Sequence, residues 1–227
     1  MGKAIFVTGT GTEVGKTYVT ALIVKKLSDA GMNVGYYKAA LSGAEICGGR
    51  LVPGDAEYVY RTAGLTGDPA CAVSYIYKEA FSPHLAARVA GEPVEMAKVK
   101  EDFNRRLALF DYLVVEGSGG VVCPIRWDGA TRIMLEDIIK EFGLRCLIVG
   151  DAGLGAINSA VLTASYMKER GIETAGVILN NWEPENLIHA DNKKMIEELS
   201  GAPVLCETVR GARVLPLSAS ALAALFR

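Results

Sequence analysis

The feature that most constrains this chain is a short apolar run followed by a loop of small residues and then Gly-Lys-Thr. The apolar run at residues 4–7 predicts a buried strand, and Gly15-Lys16-Thr17 opens an amphipathic segment. This order is typical of a phosphate-binding loop, in which backbone N–H groups and a helix N-terminus surround an anion. Lys16 would reach the terminal phosphates, and the Thr17 hydroxyl would bind Mg²⁺. Five residues separate Gly9 from Gly15, whereas the general motif has four.

Size and composition fit a single domain spanning residues 1–227. The chain has 227 residues, 50% of them hydrophobic, which is enough to bury a large core. A formal net charge of −2 argues against a nucleic-acid binder. No apolar run approaches the roughly 20 residues needed to cross a bilayer, and no signal-peptide layout is seen. Five scattered cysteines predict reduced core thiols in a cytoplasmic protein; they are Cys47, Cys71, Cys123, Cys146 and Cys206.

Apolar strands alternate with helices along the chain. After the first strand we predict strands at 34–38, 72–77, 112–115, 146–149, 175–179 and 204–206. Helices are expected at 16–30, from 55, from 83, at 99–109, 135–142, 156–170 and 192–199, and near the C-terminus, with loops at 39–53, 116–120 and 153–158. The alternation predicts an α/β fold, a doubly wound, mostly parallel sheet in a three-layer sandwich like that of P-loop NTPases. The loops that follow the strands should gather at one edge of that sheet.

Three more residues at this predicted edge suit phosphate chemistry. Glu116 ends a strand, where phosphate-loop enzymes usually keep an acidic residue for Mg²⁺. Asp55 is either a second carboxylate ligand or the N-cap of a helix. Lys38 is either a solvated charge at a strand end or a second cation for an anion other than the nucleotide. His84 and His189 have no partner at ligand or catalytic spacing, and the absence of Asn-Lys-x-Asp argues against a GTPase.

Seven short blocks, in order along the chain, resemble those of the dethiobiotin synthetase family. They lie at residues 9–17, 38–43, 54–56, 82–84, 115–120, 154–158 and 180–181. The first is similar to the family's G-T-D-T-[EG]-V-G-K-T, whose extra residue accounts for the irregular glycine spacing. The resemblance extends to at least Pro203 and implies a cyclo-ligase that uses ATP and Mg²⁺. Its implied reaction closes a ureido ring on 7,8-diaminopelargonic acid with CO2 or bicarbonate, through a carbamate and a carbamic-phosphoric anhydride, releasing ADP and phosphate.

The resemblance also implies roles for individual residues. Catalysis would involve Lys38, Lys16 and Thr12, and Mg²⁺ would be bound by Thr17, Asp55 and Glu116. Nucleotide contacts are implied at Glu13, Val14, Gly15, Lys16, Thr17, Tyr18, Asp55, Glu116, Gly117, Ser118, Gly119, Asn180 and Asn181, with Asn180 at the base. Substrate contacts are implied at Thr12, Lys38, Ser42, Gly155, Ala156, Ile157 and Asn158. The last four would hold the distal carboxylate of a substrate in the partner subunit, which implies a homodimer.

The chain departs from the family pattern at three places. Gly11 replaces an aspartate, Ala39 replaces the proline after the active-site lysine, and residues 206–209 replace Gly-x-Ile-Pro near the base. Within the same fold, one alternative is a ParA/MinD-like nucleotide-switch ATPase, whose loop typically has an additional early lysine that is missing here. A second is the synthetase half of a glutamine amidotransferase, which would need another domain. A third is a nucleotide-binding regulator without turnover.

Overall fold

A computed structural model of the protein describes residues 2–129 and 131–227. Its strands are β1 (Lys3–Gly9), β2 (Val34–Ser42), β3 (Glu45–Cys47), β4 (Arg50–Val52), β5 (Val73–Tyr77), β6 (Tyr112–Gly120), β7 (Pro124–Trp127), β8 (Arg132–Met134), β9 (Cys146–Asp151), β10 (Thr174–Trp182) and β11 (Val204–Val209). Seven of them form one sheet in the order β11-β10-β9-β1-β6-β2-β5. All six neighbouring pairs are parallel, so the predicted parallel sheet is confirmed.

Helices cover both faces of this sheet. They are α1 (Lys16–Asp29), α2 (Gly54–Ala63), α3 (Pro83–Ala90), α4 (Met96–Leu107), α5 (Leu135–Glu141), α6 (Ala156–Glu169), α7 (Leu187–Ser200) and α8 (Ala219–Ala223), with a 3₁₀ turn at Pro69–Ala72. Helices α1, α2 and α8 share one apolar core with the sheet, and α3 to α7 share the other. The predicted three-layer, doubly wound fold is therefore confirmed. Strands buried from both sides explain the near-continuous apolar runs in the sequence.

The phosphate loop leaves β1 in the middle of the sheet. Strand β1 lies between β6 and β9, where the strand order reverses direction along the chain. In open α/β sheets, ligands bind outside the carboxyl ends of the strands at such a reversal. The topology therefore puts residues 10–15 at the position where this fold class binds its ligands.

The predicted loop at 39–53 is wrong for much of its length. Strand β2 continues to Ser42, because Ala40 and Ser42 pair with Tyr75 and Tyr77 of the edge strand β5. Strands β3 and β4 then form a hairpin around Gly48 and Gly49, whose φ angles of 57° and 78° suit a two-residue turn. The end of β2 is a strand because it pairs with β5, which lies far away in the sequence. Each strand of the hairpin has only three residues, too few to show a hydrophobic periodicity in the sequence.

The loop predicted at residues 116–120 is corrected in the same way, and the strand predicted at 175–179 is longer than expected. Residues 116–120 belong to β6, where Gly120 pairs with Gly9 of β1. Residues 180–181 belong to β10, which is interrupted by an irregularity between Asn180 and Trp182. Helix α7 begins at Leu187, five residues before the predicted start at 192, and the β7–β8 hairpin was not predicted.

The C-terminal segment packs against its own chain. Leu222 and Phe226 are buried in the core shared with α1 and α2, and the Phe226 ring meets Tyr112 edge-on at 5.3 Å between centroids. Arg227 exchanges two backbone hydrogen bonds with Ala4 at the start of β1. The last residues therefore belong to the folded core of the subunit.

Two of the five predicted core thiols are placed wrongly. Cys123, Cys146 and Cys206 are buried, but Cys47 lies on the exposed β3–β4 hairpin and Cys71 in the exposed 3₁₀ turn. All five are free thiols. None of the described helices is long and apolar enough to cross a membrane.

Candidate active site

The loop at residues 10–15 ends in a helix N-terminus with no side-chain cap. Gly15 is the N-cap of α1 and has a φ of 84°, a conformation that glycine adopts without strain. No side chain accepts a hydrogen bond from the first turn of α1, so its N–H groups are free to bind an anion. Glu13 also has a positive φ, 61°, which is uncommon for a residue other than glycine.

Lys38 lies buried beside this loop, between two carboxylates. Its Nζ is 2.8 Å from Oε1 of Glu116 and 2.5 Å from Oδ2 of Asp55. Lys38 and Glu116 are register partners on β2 and β6, so their side chains leave the sheet together. Asp55 comes from the first turn of α2, whose N-cap is Pro53. The alternatives of a solvated Lys38 and a capping Asp55 are therefore wrong.

The charges in this cluster stabilise one another. Burial alone would lower the pKa of Lys38, but Glu116 and Asp55 raise it above its ordinary value. Burial would likewise raise the pKa of Asp55, and the neighbouring Lys38 brings it below its ordinary value. For Lys16, burial and then the positive charge of Lys38 lower the pKa. Lys38 therefore remains an ammonium ion beside two carboxylates throughout the neutral pH range.

Three oxygen-bearing side chains meet at the start of α1. The Thr17 hydroxyl donates to Oε1 of Glu116 at 2.7 Å, the same oxygen that accepts from Lys38. The Thr17 hydroxyl also interacts with Asp55. A hydroxyl and two carboxylates are the hard oxygen ligands that Mg²⁺ takes, and nucleotide phosphates and water complete its octahedron. These residues therefore fit a magnesium ion bound together with a nucleotide.

The carboxylates alone would not make a complete metal site. Across residues 2–129 and 131–227, no cluster of three or more histidine, cysteine, aspartate or glutamate side chains is placed to hold a metal ion. Mg²⁺ usually keeps several waters and takes only one or two carboxylates beside phosphate oxygens. Any magnesium bound here would depend on the nucleotide for further ligands.

Tyr36, which was not singled out from the sequence, contacts the other oxygen of Glu116. Its hydroxyl donates to Oε2 of Glu116 at 3.2 Å, and the residue is completely buried. Burial and then the negative charges of Glu116 and Asp55 raise the pKa of Tyr36 well above its ordinary value. The hydroxyl is therefore a permanent donor to Glu116.

Asn180 connects the phosphate loop to β11 at the edge of the sheet through two hydrogen bonds. Its Nδ2 donates to the Val14 carbonyl at 3.1 Å, and its Oδ1 accepts from the Thr208 hydroxyl at 2.8 Å. A Cβ atom on Gly15 would lie 2.0 Å from the Asn180 Nδ2. Thr208 belongs to the segment 206–209 that departs from the family pattern, so this segment supports the residue predicted to contact the base.

A cleft of about 490 Å³ opens beside the charged cluster. Four of the predicted site residues line it: Thr12, Ser42, Ser118 and Gly119. Phe81 and Cys123 contribute apolar and thiol surface to the same cleft. The Cys123 thiol is electrostatically coupled to Lys16 and Lys38, and burial raises its pKa to about 11. Sequence spacing gave no signal for Cys123, which looked like any other buried cysteine.

Other predicted residues lie farther from this cluster. None of residues 155–158 lines the described cleft. At the start of α6, Gly155 and Asn158 are exposed but Ala156 is buried, and Leu154 just before them is 89% exposed. The Tyr18 hydroxyl donates to the Ala212 carbonyl, and Asn181 donates to Asp151 at 2.6 Å. His189 accepts a backbone hydrogen bond from Glu183, a structural role.

Comparison with known proteins identifies the family. A relative from Clostridium botulinum Eklund 17B, "ATP-dependent dethiobiotin synthetase BioD", is 50% identical over 91% of both chains. A second, from Clostridium botulinum strain 657 and of the same name, is 52% identical over 90% of this chain and 89% of its own. The chain belongs to the dethiobiotin synthetase family.

Broader comparisons agree with the fold of this dethiobiotin synthetase family member. A family described as an AAA domain matches residues 3–209. A ParA family ATPase from Chlorobium tepidum has a TM-score of 0.57 at 14% identity, covering 92% of this chain and 85% of its own. The MinC:MinD cell division complex from Aquifex aeolicus also gives 0.57, at 15% identity, covering 93% and 83%. At such low identity these two structures support the fold alone.

Proposed function

We propose that this protein uses ATP to close the ureido ring of dethiobiotin on 7,8-diaminopelargonic acid and CO2. The observation that carries the proposal is the buried Lys38, fixed by Glu116 and Asp55 beside a phosphate loop that supplies Lys16. A nucleotide-binding protein needs only the loop lysine. A second buried cation beside a cleft lined by hydroxyl side chains suits a reaction that brings a substrate anion to the terminal phosphate. Family membership supports the same activity.

The phosphate loop would bind ATP through its backbone and the free helix start. Residues 13–18 would wrap the phosphates, with Lys16 on the terminal two. Residues 117–119 would form the opposite wall of the phosphate site, and Asn180 and Asn181 would lie near the base. The uncapped N–H groups of α1 support this arrangement, because phosphate oxygens are the ligands they suit.

Thr17, Asp55 and Glu116 would hold Mg²⁺ against the bound nucleotide. When bound there, the ion would neutralise charge on the phosphates during transfer. This assignment is supported by Oε1 of Glu116, which accepts hydrogen bonds from both Thr17 and Lys38.

The chemistry follows from two anions that must meet. One amine of the substrate adds to CO2 and loses a proton, which gives a carbamate. A carbamate oxygen then attacks the terminal phosphorus of ATP and ADP leaves. The second amine attacks the carbonyl of the resulting anhydride, the ring closes and phosphate leaves. Lys38 and Lys16 would hold the two anions together, with Thr12 and Ser42 orienting the carbamate in the cleft.

A homodimer is part of this proposal. Gly155 and Asn158 at the start of α6 are exposed, and none of residues 155–158 lines the cleft of its own subunit. In a dimer it would offer N–H groups to the distal carboxylate of a substrate bound by the partner. A cytoplasmic location is also proposed, supported by five free thiols, two of them exposed.

The decisive experiment measures phosphate release from ATP with and without the diamine, in bicarbonate buffer with Mg²⁺. The proposal expects release to depend on the diamine and dethiobiotin to form in equal amount. Equal phosphate release with and without the diamine would contradict the synthetase and favour a nucleotide-switch ATPase. Light scattering of the active protein tests the dimer, and a fully active monomer would refute the shared site.

A further inference from the structure

Tyr36 lies where its hydroxyl can reach Glu116 across two strands. Tyr36 and Lys38 are two residues apart on β2 and so face the same side of the sheet. Tyr36 pairs with Val114 on β6, which makes Glu116 its diagonal neighbour on that side. The tyrosine side chain spans this diagonal, and its hydroxyl ends 3.2 Å from Oε2 of Glu116. The contact therefore follows from the register of β2 against β6.

The two oxygens of Glu116 have different partners. Oε1 accepts from Thr17 and Lys38 on the nucleotide side. Among the described residues, Oε2 accepts a hydrogen bond from Tyr36 alone. Glu116 is 1% exposed, so the protein itself must satisfy both oxygens. Without the Tyr36 hydroxyl, the buried carboxylate would have no donor on its inner side and could rotate.

We propose that Tyr36 is a positioning residue of the magnesium site. Its hydroxyl fixes the Glu116 carboxylate so that Oε1 faces Thr17 and Lys38, where Glu116 would hold a magnesium ion bound with ATP. The proposal rests on the assignment of Glu116 as a magnesium ligand under the proposed function. Groups that orient metal ligands from behind typically change metal affinity or activity by 10- to 100-fold when removed.

The neighbouring tyrosine provides a matched control. Tyr37 lies next in the same strand and is also buried, but it faces the opposite core. Its hydroxyl bonds to the Ser74 hydroxyl at 2.7 Å and the Val99 carbonyl at 2.9 Å, away from the carboxylates. Tyr37→Phe removes the same atom from the same strand without touching Glu116. It therefore measures what a lost buried hydroxyl does to the fold alone.

The experiment titrates Mg²⁺ and measures ATP binding by calorimetry without the diamine, and then turnover with it. For Tyr36→Phe we expect the half-saturating Mg²⁺ concentration to rise about tenfold in both measurements. ATP affinity in excess EDTA should stay within twofold of the unmodified protein, since the phosphate loop is unchanged. Tyr37→Phe should leave the Mg²⁺ dependence unchanged. An Mg²⁺ requirement of Tyr36→Phe within twofold of normal would overturn the proposal, as would an equal shift in Tyr37→Phe.

A second comparison uses the Glu116→Gln variant as background. If Tyr36 acts through Glu116, adding Tyr36→Phe should change the Mg²⁺ requirement by less than twofold there. A further tenfold change in that background would show that Tyr36 acts on the fold, and would overturn the proposal. Because binding is measured without the diamine, the result is independent of turnover. Absence of diamine-dependent phosphate release in the unmodified protein would refute the proposed function and leave the Tyr36 test intact.

Discussion

Lys38 shows how a buried lysine can keep its charge. It is 3% exposed, and an unpaired ammonium ion at such a site would lose its proton. Two carboxylates within 2.8 Å raise its pKa instead. The carboxylates are held in turn by Thr17 and Tyr36. A permanently charged group is thereby fixed beside the phosphate loop before any substrate arrives.

Replacing Lys38 should separate catalysis from nucleotide binding. We expect Lys38→Ala to lower kcat by at least about 100-fold, because one preorganised charge at a reacting anion contributes about that much. ATP affinity, measured by calorimetry, should change by less than about fivefold, since the loop and Lys16 remain. As a control, Lys25→Ala on α1 removes an exposed ion pair with Asp29 and should leave both kcat and ATP affinity unchanged. Normal turnover in Lys38→Ala would remove the role assigned to it.

Gly15 is required for two reasons that can be tested apart. Its φ is 84°, and a Cβ atom there would collide with Asn180. Gly31 has a similar φ of 75° but open space around it, so Gly31→Ala carries the backbone strain alone. We expect both alanine variants to lose about 1 kcal/mol of unfolding free energy from the positive φ. Only Gly15→Ala should weaken ATP binding, by tenfold or more; equal ATP affinities would show that the Asn180 contact is unimportant.

The sequence indicated some site residues and could not indicate others. Lys16, Thr17 and Glu116 stand at fixed positions after apolar strands, and that local order reflects how the loop folds. Tyr36 and Thr208 act through partners about 80 and 30 residues away. Buried aromatic and β-branched residues of this kind are common in any strand, so only the register of the sheet reveals their partners.

At the scale of elements, the ends of the strands also depend on pairing partners that are distant in the sequence. The cores of β2, β6 and β10 were predicted, but each continues three to five residues beyond its predicted end. Most of the extra residues are small or polar, such as Ser42 and Gly120, and they are in strands because a neighbouring strand pairs with them. These extensions carry the polar residues of the site. The apolar run that predicts each strand therefore ends where the polar residues of the site begin.

The C-terminal residues that follow α8 should stabilise the whole fold. Phe226 is 3% exposed and packs against Tyr112 at the base of the sheet. We expect Phe226→Ala to cost about 3 kcal/mol of unfolding free energy in urea denaturation, as for other buried phenylalanines. Phe81→Ala makes the same chemical change at a 45% exposed site and should cost less than about 1 kcal/mol. An equally small loss for Phe226→Ala would mean that the tail is not part of the core.

The division of the cysteines into exposed and buried residues provides a test of the fold as a whole. Cys47 and Cys71 are exposed, whereas burial raises the pKa of Cys206 to about 12 and that of Cys146 well above its usual range. Because the thiolate is the reactive form, a raised pKa lowers reactivity at neutral pH. We expect mass spectrometry to find two rapid alkylations in the native protein and five in denaturant. Rapid native labelling of Cys146, at the centre of the sheet, would contradict the fold.

The link from Asn180 to the phosphate loop bears on how the chain matures during synthesis. Residues 10–15 are synthesised before β10 and β11, yet the Val14 carbonyl takes its hydrogen bond from Asn180, which is held by Thr208. The phosphate loop is therefore braced by strands that are synthesised well after it. A nascent chain that stops short of β11 lacks this brace. High affinity for nucleotide should thus arise only after β11 has been synthesised, so shorter nascent chains would not sequester ATP.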